Sequence, residues 1–448
     1  MIDGKLPLHK GRNLLGISDE FVRNPALFTI QEGFQYGDFY KLSLPRYNLH
    51  IVTDPDILHH ITVTREAHYE KSSIYWKQLR ATIGRAMGSL DGEEWLVLRQ
   101  MQTPFFTPAR SKSYLPDVLA IARRHLDHWR VGTGKQLELL GLLSKMNTDI
   151  ILKTIFGLDA AQDYGQIAQR IGDGQATISW KSKFPWRPWL GWLNGRNLKA
   201  RQHLAFFRRY LKQSISDNQS RWAPGPDAHL LSRLLATPGL SATDIRNELI
   251  VHLGASTETA AVGAAWVLYL LSRHPEVLAK VRSEIDQTVG PHPLTPASAF
   301  QLPYTEQVIK ESLRLYPPSY ALVRDCIKED TIKGVPVKPG DSFFICLFAL
   351  HRHPRYWEQP NTFRPDRFAP EHINRIHPNT YHPFGAGKHH CIGRYLATPM
   401  LVLAIASFCR RFDFTLAGNQ EKPPLSLSTL KPKGGLWMQV SERKQSVA

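Results

Sequence analysis

Phe384-Gly385-Ala386-Gly387-Lys388-His389-His390-Cys391-Ile392-Gly393 sets one cysteine in a loop with three glycines. Glycine reaches backbone angles closed to residues with a Cβ, so this spacing predicts a tight loop that aims amide N–H groups at the Cys391 sulfur. Such donors favour thiolate over thiol. The next stretch, Arg394 to Ala406, is apolar almost all round and reads as a buried helix whose positive end lies beside the sulfur. A single activated cysteine so placed suits a nucleophile or a metal ligand, and the loop by itself leaves both open.

Upstream, Ser241-Ala242-Thr243-Asp244 forms a capping box, and the pattern after it runs unbroken to Leu271. That predicts a helix of about 30 residues, roughly 45 Å, long enough to cross a domain. It is apolar on most sides yet carries Ser256, Thr257, Glu258 and Thr259 in a row near its middle. Buried hydroxyls and a carboxyl need partners. Ser and Thr can supply their own by bonding back to the preceding turn, or can bend the helix there and open room for a small ligand.

Glu311-Ser312-Leu313-Arg314 places an acid and a base three apart on one face of a helix predicted over Pro303 to Leu315. Trp95 and Arg99, four apart, share a face of the helix opened by Asp91. Phe39 to Leu44 with Leu49 to Val52 reads as a β-hairpin, as do Leu425 to Leu430 with Leu436 to Val440 around Lys431-Pro432-Lys433-Gly434-Gly435. Ile74 to Leu90 shows no clean period and holds Gly84 and Gly88, so a long mobile loop is expected there. Trp180, Trp186, Trp189 and Trp192 crowd a short basic, proline-containing stretch; it reads as a loop pinned by aromatic packing, or as a patch for a membrane surface or a substrate gate.

The chain has 448 residues, 42% of them apolar, ample for a core. Its four cysteines, 326, 346, 391 and 409, are too few and too irregular for a disulfide framework, which points to a reducing cytoplasm. The amino end, Met1-Ile2-Asp3-Gly4-Lys5-Leu6-Pro7, has no signal-peptide character, and no apolar run approaches the ~20 residues of a membrane span. A protein without an integral membrane anchor is expected. Lysine plus arginine exceed aspartate plus glutamate by 56 − 39 = 17 charges, which suits an acidic partner or an anionic surface. No nucleic-acid motif accompanies that charge.

Phe-x-x-Gly-x-His-x-Cys-x-Gly at 384–393 resembles the haem-binding signature of the cytochromes P-450. The resemblance extends from about Tyr36 to Val440, with further motifs in the family's order. It implies a mainly α fold with a smaller β-rich portion: a triangular, helix-rich single domain over 1–448 with a long central helix, the β-rich part near 36–70, a helical body over 91–315 and the thiolate loop at 384–393. It implies Cys391 as thiolate ligand to the iron of haem b, Phe384 as a shield for the sulfur, Gly393 as part of the loop, and His389, Trp95, Arg99 and Arg324 as partners of the two haem propionates. By the same resemblance Glu311 and Arg314 join Arg367 of Pro360-Asn361-Thr362-Phe363-Arg364-Pro365-Asp366-Arg367-Phe368 in a structural ion cluster. Glu258 and Thr259 match the acid and threonine that deliver protons to dioxygen. Ser256 stands where the family usually has Gly, which puts an extra hydroxyl in or near the oxygen groove.

The implied activity is a monooxygenase acting on a hydrophobic substrate, terpenoid, steroid or fatty-acid-like, with electrons from a separate acidic ferredoxin or flavodoxin and its reductase, since no flavin or dinucleotide motif is visible. A peroxide-driven haem-thiolate enzyme is the alternative, against which Glu258-Thr259 argues; a non-catalytic haem or ligand-binding protein has no use for that pair. Zinc held by His389, His390 and Cys391 is disfavoured, because adjacent side chains point apart.

Overall fold

The structure is a computed structural model that describes residues 6–9, 19–44, 47–71, 74–129, 135–159, 163–183, 193–216, 228–418 and 421–443. Trp186, Trp189 and Trp192 of the tryptophan-rich stretch, Ser18 and the turn residues Pro45 and Arg46 lie outside them.

One helix, Ala242–Arg273, runs through the largest apolar core. Its start is the capping box expected from sequence: Ser241 Oγ accepts from the Asp244 amide while Asp244 accepts from the Ser241 amide. His274 and Pro275 end it, because proline cannot continue the hydrogen-bond ladder. It packs most extensively on Leu139–Phe156. Trp266, fully buried on its far half, stacks on Tyr316 with ring centroids 3.9 Å apart and donates Nε1–H to Leu430 O at 2.7 Å. Arg394–Arg411, buried along Leu396 and Met400 to Cys409, lies alongside.

The β portion is led by a six-stranded sheet in the order Leu8–His9, Phe39–Leu44, Tyr47–Val52, Ser342–Cys346, Ala321–Cys326, Tyr69–Glu70. The predicted hairpin is its second pair, with Phe39 opposite Val52. Tyr47–Val52 then pairs in parallel with Ser342–Cys346. This long-range pairing joins the amino-terminal strands to residues after the helical body and places Arg324, in register with Phe343, on an inner strand.

Two expectations fail. Ile74 to Ile83 is a helix, not a loop, and only from Gly84, at φ +103°, does the chain leave helical geometry. None of its residues is fully buried, because its apolar side faces a cavity and the helix Tyr164–Lys183 rather than the core; the periodic signal that marks a core helix is therefore weak. The closing hairpin also differs. Pro424–Ser426 pairs with Leu430–Pro432, whereas Trp437–Glu442 joins Phe412–Leu416 and Gln136–Glu138 in a separate sheet. Gly434 and Gly435, at φ +79° and +76°, turn the chain between the two sheets, and a Cβ on Gly435 would stand 2.8 Å from Glu138 Oε1.

Candidate active site

A cavity of about 750 Å³ separates the Cys391 loop from the middle of the central helix. Cys391, Phe384 and His389 lie on one wall, and Ala255 and Thr259 on the other.

The loop is shaped by backbone contacts. Cys391 N–H donates to Phe384 O at 2.8 Å, and Gly385 and Gly387 sit at φ +75° and +66°. A Cβ on Gly387 would fall 1.9 Å from the carbonyl oxygen of Thr62, so only glycine fits. Gly393 departs from the expectation for the three glycines: its φ is −84°, open to any residue, and its role is to start the helix Arg394–Arg411 and donate its amide to the sulfur. Deep enclosure pushes the Cys391 thiol up, against the Gly393 amide and the charges of Arg99 and Arg394, which pull it down. In the protein alone burial outweighs the amide, the reverse of the balance read from sequence. The sulfur remains open to the cavity.

Around the rim stand Lys71, Arg99, Arg324 and His389. Arg324 is buried, and its one hydrogen bond among the described residues goes to its neighbour's carbonyl, Val323 O, at 2.8 Å; burial lowers its guanidinium to about 10. Lys71 lies over Trp76 and Trp95, 5.2 and 5.6 Å from their ring centres, and burial lowers its ammonium to about 8. Arg99 Nη2 donates to His390 Nε2 at 3.2 Å, while His390 Nδ1–H donates to Gly387 O at 2.9 Å. Trp95 and His389 have ring centres 4.1 Å apart. His389 Nε2 is 3.0 Å from Asp91 Oδ1 but poorly aligned for a hydrogen bond, and its buried Nδ1 has no partner. Burial, against the pull of Asp91, holds the imidazole down at about 4. Burial works to raise the Asp91 carboxyl, but His389 and the amides of Lys71 and Gly92 outweigh it and hold it well below the usual range.

This rim tests the fit of a haem. Among the described residues, Lys71 and Arg324 share one carboxylate, Asp91, and Arg99 has only the Cys391 sulfur to draw on; Glu66, which also acts on Arg324, is taken by Lys388 at 2.8 Å. Buried charge in surplus is costly unless paired. Two unmatched positive charges and an orphaned imidazole nitrogen at one edge of a cavity are what two carboxylates of a ligand would satisfy. The residues present therefore fit the group. Trp95, Arg99, Arg324 and His389, expected from sequence at this site, all line the cavity; Lys71, which also lines it, and Asp91 belong to no local pattern.

On the facing wall Thr259 Oγ1 donates to Ala255 O at 2.6 Å. Ser256 does not add a hydroxyl to the cavity: it is absent from the cavity lining, and its Oγ donates back to His252 O at 2.6 Å. Asn147 Nδ2 donates to the carbonyls of Ser256 and Thr257 at 2.7 and 3.1 Å, and Thr257 Oγ1 lies 3.2 Å from Thr148 Oγ1. The run of polar residues in mid-helix is thus divided: Ser256 and Thr257 bind the protein, Thr259 lines the cavity, and Glu258 turns to the carboxyl-terminal hairpin. A second buried group was not foreseen. His252, which also lines the cavity, bonds Gln102 Oε1 through Nε2 at 2.5 Å, and Gln102 Nε2 donates to Glu248 Oε2 at 3.1 Å. Burial raises Glu248 to about 7.

Behind the loop, Glu311 and Arg314 form a fully buried bidentate pair at 2.7 and 2.8 Å, with Arg367 Nε 3.3 Å from Glu311. The cluster expected from sequence is present.

The family model described as Cytochrome P450 matches residues 13–438. Similar proteins include Protein LUTEIN DEFICIENT 5, chloroplastic, of Arabidopsis thaliana, 29% identical over 98% of this chain and 77% of that one. Cytochrome P450 4A24 of Sus scrofa is 29% identical over 87% of this chain and 81% of its own. A solved structure described as the cytochrome P450DA heme domain superposes with a TM-score of 0.86 at 21% identity, covering 98% of both chains. Among the described residues no helix is long and apolar enough to cross a membrane. With the family model spanning nearly the whole sequence, this chain belongs to the cytochrome P450 family and is a haem-dependent monooxygenase.

Proposed function

We propose that this monooxygenase hydroxylates or epoxidises a hydrophobic, terpenoid-, steroid- or fatty-acid-like substrate, and that Cys391 would hold the iron of haem b as a thiolate. The observation that carries the substrate class is the cavity wall beyond the cofactor rim: Ile74, Leu79, Ile178, Phe207, Ile250 and Leu427 present mainly hydrocarbon. Transfer of a ligand's apolar surface from water to such a wall is favourable by about 25 cal/mol per Å².

When bound, the haem would supply reductive activation of dioxygen, made easier by a thiolate ligand such as Cys391. The chain's own residues do the rest. Gly393 N–H donates to the sulfur, and Phe384 covers the thiolate side of the cavity. Lys71, Arg99, Arg324 and His389 would hold the propionates. On the opposite wall Thr259 offers a hydroxyl, and Glu258, next in sequence, is the acid that takes protons from the interior and gives them up on the Thr259 side. The apolar lining excludes water that would otherwise protonate oxygen without control.

Titrating purified holoprotein with steroids, terpenoids and fatty acids, and following displacement of water from the iron by absorption, tests the substrate class. Apolar compounds are expected to bind; a response confined to hydrophilic compounds would overturn it.

Electrons come, in this proposal, from a separate ferredoxin or flavodoxin. The net charge of +17 and exposed Leu96 and Val97 on the helix that carries Arg99 support docking of an acidic protein on that side. The second-order rate of ferredoxin-supported turnover is expected to fall several-fold between about 50 and 200 mM salt, as screening shortens the field. A rate independent of ionic strength would sink the electrostatic part of the proposal.

A further inference from the structure

The cavity has a second cationic place, away from the rim. Arg170, on the helix Tyr164–Lys183, and His203, on the helix Arg196–Ser216, both line it. Neither helix carries a rim residue, so the two propionates do not account for this cation. Arg170 is half-buried, and its guanidinium carbon stands 4.2 Å from the centre of the Phe206 ring. Stacking of that kind occupies a face of the guanidinium and leaves its N–H edges to find partners. One edge is used: Nη1 donates to His203 Nδ1 at 3.2 Å. A guanidinium only donates, so Nδ1 accepts and the ring carries its proton on Nε2. Burial, against the pull of Asp173, lowers the imidazole and keeps it neutral enough to accept. The other edge is not used by the chain. Nε is enclosed without a partner, and Nη2 makes no bond to a described residue. Among the described residues no carboxylate pairs with Arg170; the acid nearest in sequence, Asp173, is half exposed and lies 3.8 Å from His203 Nε2 instead. Nε and Nη2 carry the parallel N–H bonds that take a carboxylate side-on, and Arg314 holds Glu311 through the same two nitrogens at 2.7 and 2.8 Å.

We propose that Arg170, held in place by His203 and Phe206, is a specificity-determining residue that binds the carboxylate of a long-chain fatty acid through its Nε–Nη2 edge, with the hydrocarbon lying along Ile171, Ile178, Phe207 and Ile250. This rests on the hydrophobic-substrate reading given above and narrows it to an amphipathic acid. One unpaired guanidinium matches the single charge of such a ligand; a hydrocarbon terpene or a neutral steroid offers it nothing. Once the chain of the acid fills the cavity and displaces water, the pair is shielded from solvent and holds more strongly than an ion pair at the open surface.

Titration of the haem-loaded protein with tetradecanoic acid, its methyl ester and tetradecanol tests it, with Kd read from the absorption change as water leaves the iron. The three ligands share a hydrocarbon chain and differ in the head group. Without an anchor the ionised acid would bind most weakly, because burying an unpaired charge is costly. With one it should bind about tenfold more tightly than the ester or the alcohol, as a side-on charge-assisted pair allows. Arg170→Gln should remove that advantage, and Arg170→Lys should restore only part of it, since an ammonium cannot make the paired bond. His203→Ala, which frees the guanidinium to turn, should weaken the acid several-fold and the ester much less. Equal affinity for acid and ester in the unaltered protein, or an equal loss of all three ligands in Arg170→Gln, overturns the carboxylate site. In both of those cases binding of the ester and the alcohol leaves the hydrophobic-substrate reading standing. A protein that binds none of the three overturns the carboxylate site and the fatty-acid part of that reading together.

Discussion

Cys391→Ser is expected to abolish the far-red-shifted Soret band of the reduced carbon monoxide complex while leaving the far-ultraviolet circular dichroism of the protein unchanged. The band depends on a thiolate ligand to the iron, and a serine hydroxyl is neither as readily deprotonated nor as polarizable. The loop should survive the change, because what shapes it does not involve sulfur. Cys391 N–H to Phe384 O is a backbone bond, and the approach of Gly387 to Thr62 O is a backbone contact. Absorption of the dithionite-reduced protein under carbon monoxide is the measurement, and an unchanged band would remove Cys391 from the iron.

The second large effect lies outside the cavity. Glu311 and Arg314 are both fully buried, and Arg314 spends its remaining donors on His351 O at 2.7 Å, Pro360 O at 2.8 Å and Thr362 O at 3.2 Å. Glu311 Oε1 also accepts from Arg364 N at 2.9 Å. These bonds tie the helix Pro303–Leu315 to the irregular segment that leads into the Cys391 loop. Glu311→Gln would leave a buried guanidinium without its counter-charge, a loss of about 3 to 5 kcal/mol, against a total stability of roughly 5 to 15. The expected outcome is protein that accumulates poorly, retains little haem and unfolds at much lower denaturant. Arg314→Lys should not rescue it, because an ammonium cannot make the paired bond and reach the three carbonyls. A Glu311→Gln protein with wild-type haem content and denaturant midpoint would refute this account.

What was legible in the sequence is what short-range pattern encodes. The capping box at Ser241, the i, i+3 pair Glu311 and Arg314, and the glycine spacing around Cys391 each declare themselves within a few residues, and the structure bears out the helix, the pair and the tight loop. Lys71 was not legible. It follows a two-residue strand, Tyr69–Glu70, whose pairing with Asp325 and Cys326 carries it to the rim. Lys431 and Glu258 likewise meet only because the hairpin folds back on the central helix. The helix Ile74–Ile83 leaves no clear period in the sequence because periodicity reports burial in a core, and this helix spends its apolar face on a cavity. Ser256 adds no hydroxyl to the cavity for a local reason: its Oγ spends its proton on the preceding turn, at His252 O, a bond that spacing alone does not distinguish from an open hydroxyl.

The pairing order of the sheets constrains how the protein is made. The strand Tyr47–Val52 emerges from the ribosome early, yet one of its neighbours, Ser342–Cys346, is synthesised only after the whole helical body, and Gln136–Glu138 waits for Trp437–Glu442 near the end of the chain. Closing such distant pairs is slow and leaves strand edges unsatisfied until late. The loop that bears Cys391 is also synthesised late. Haem capture and completion of the β portion therefore both wait until the helical body has been made, so a nascent chain stalled before Ser342 carries exposed edges that aggregate or are cleared by proteolysis.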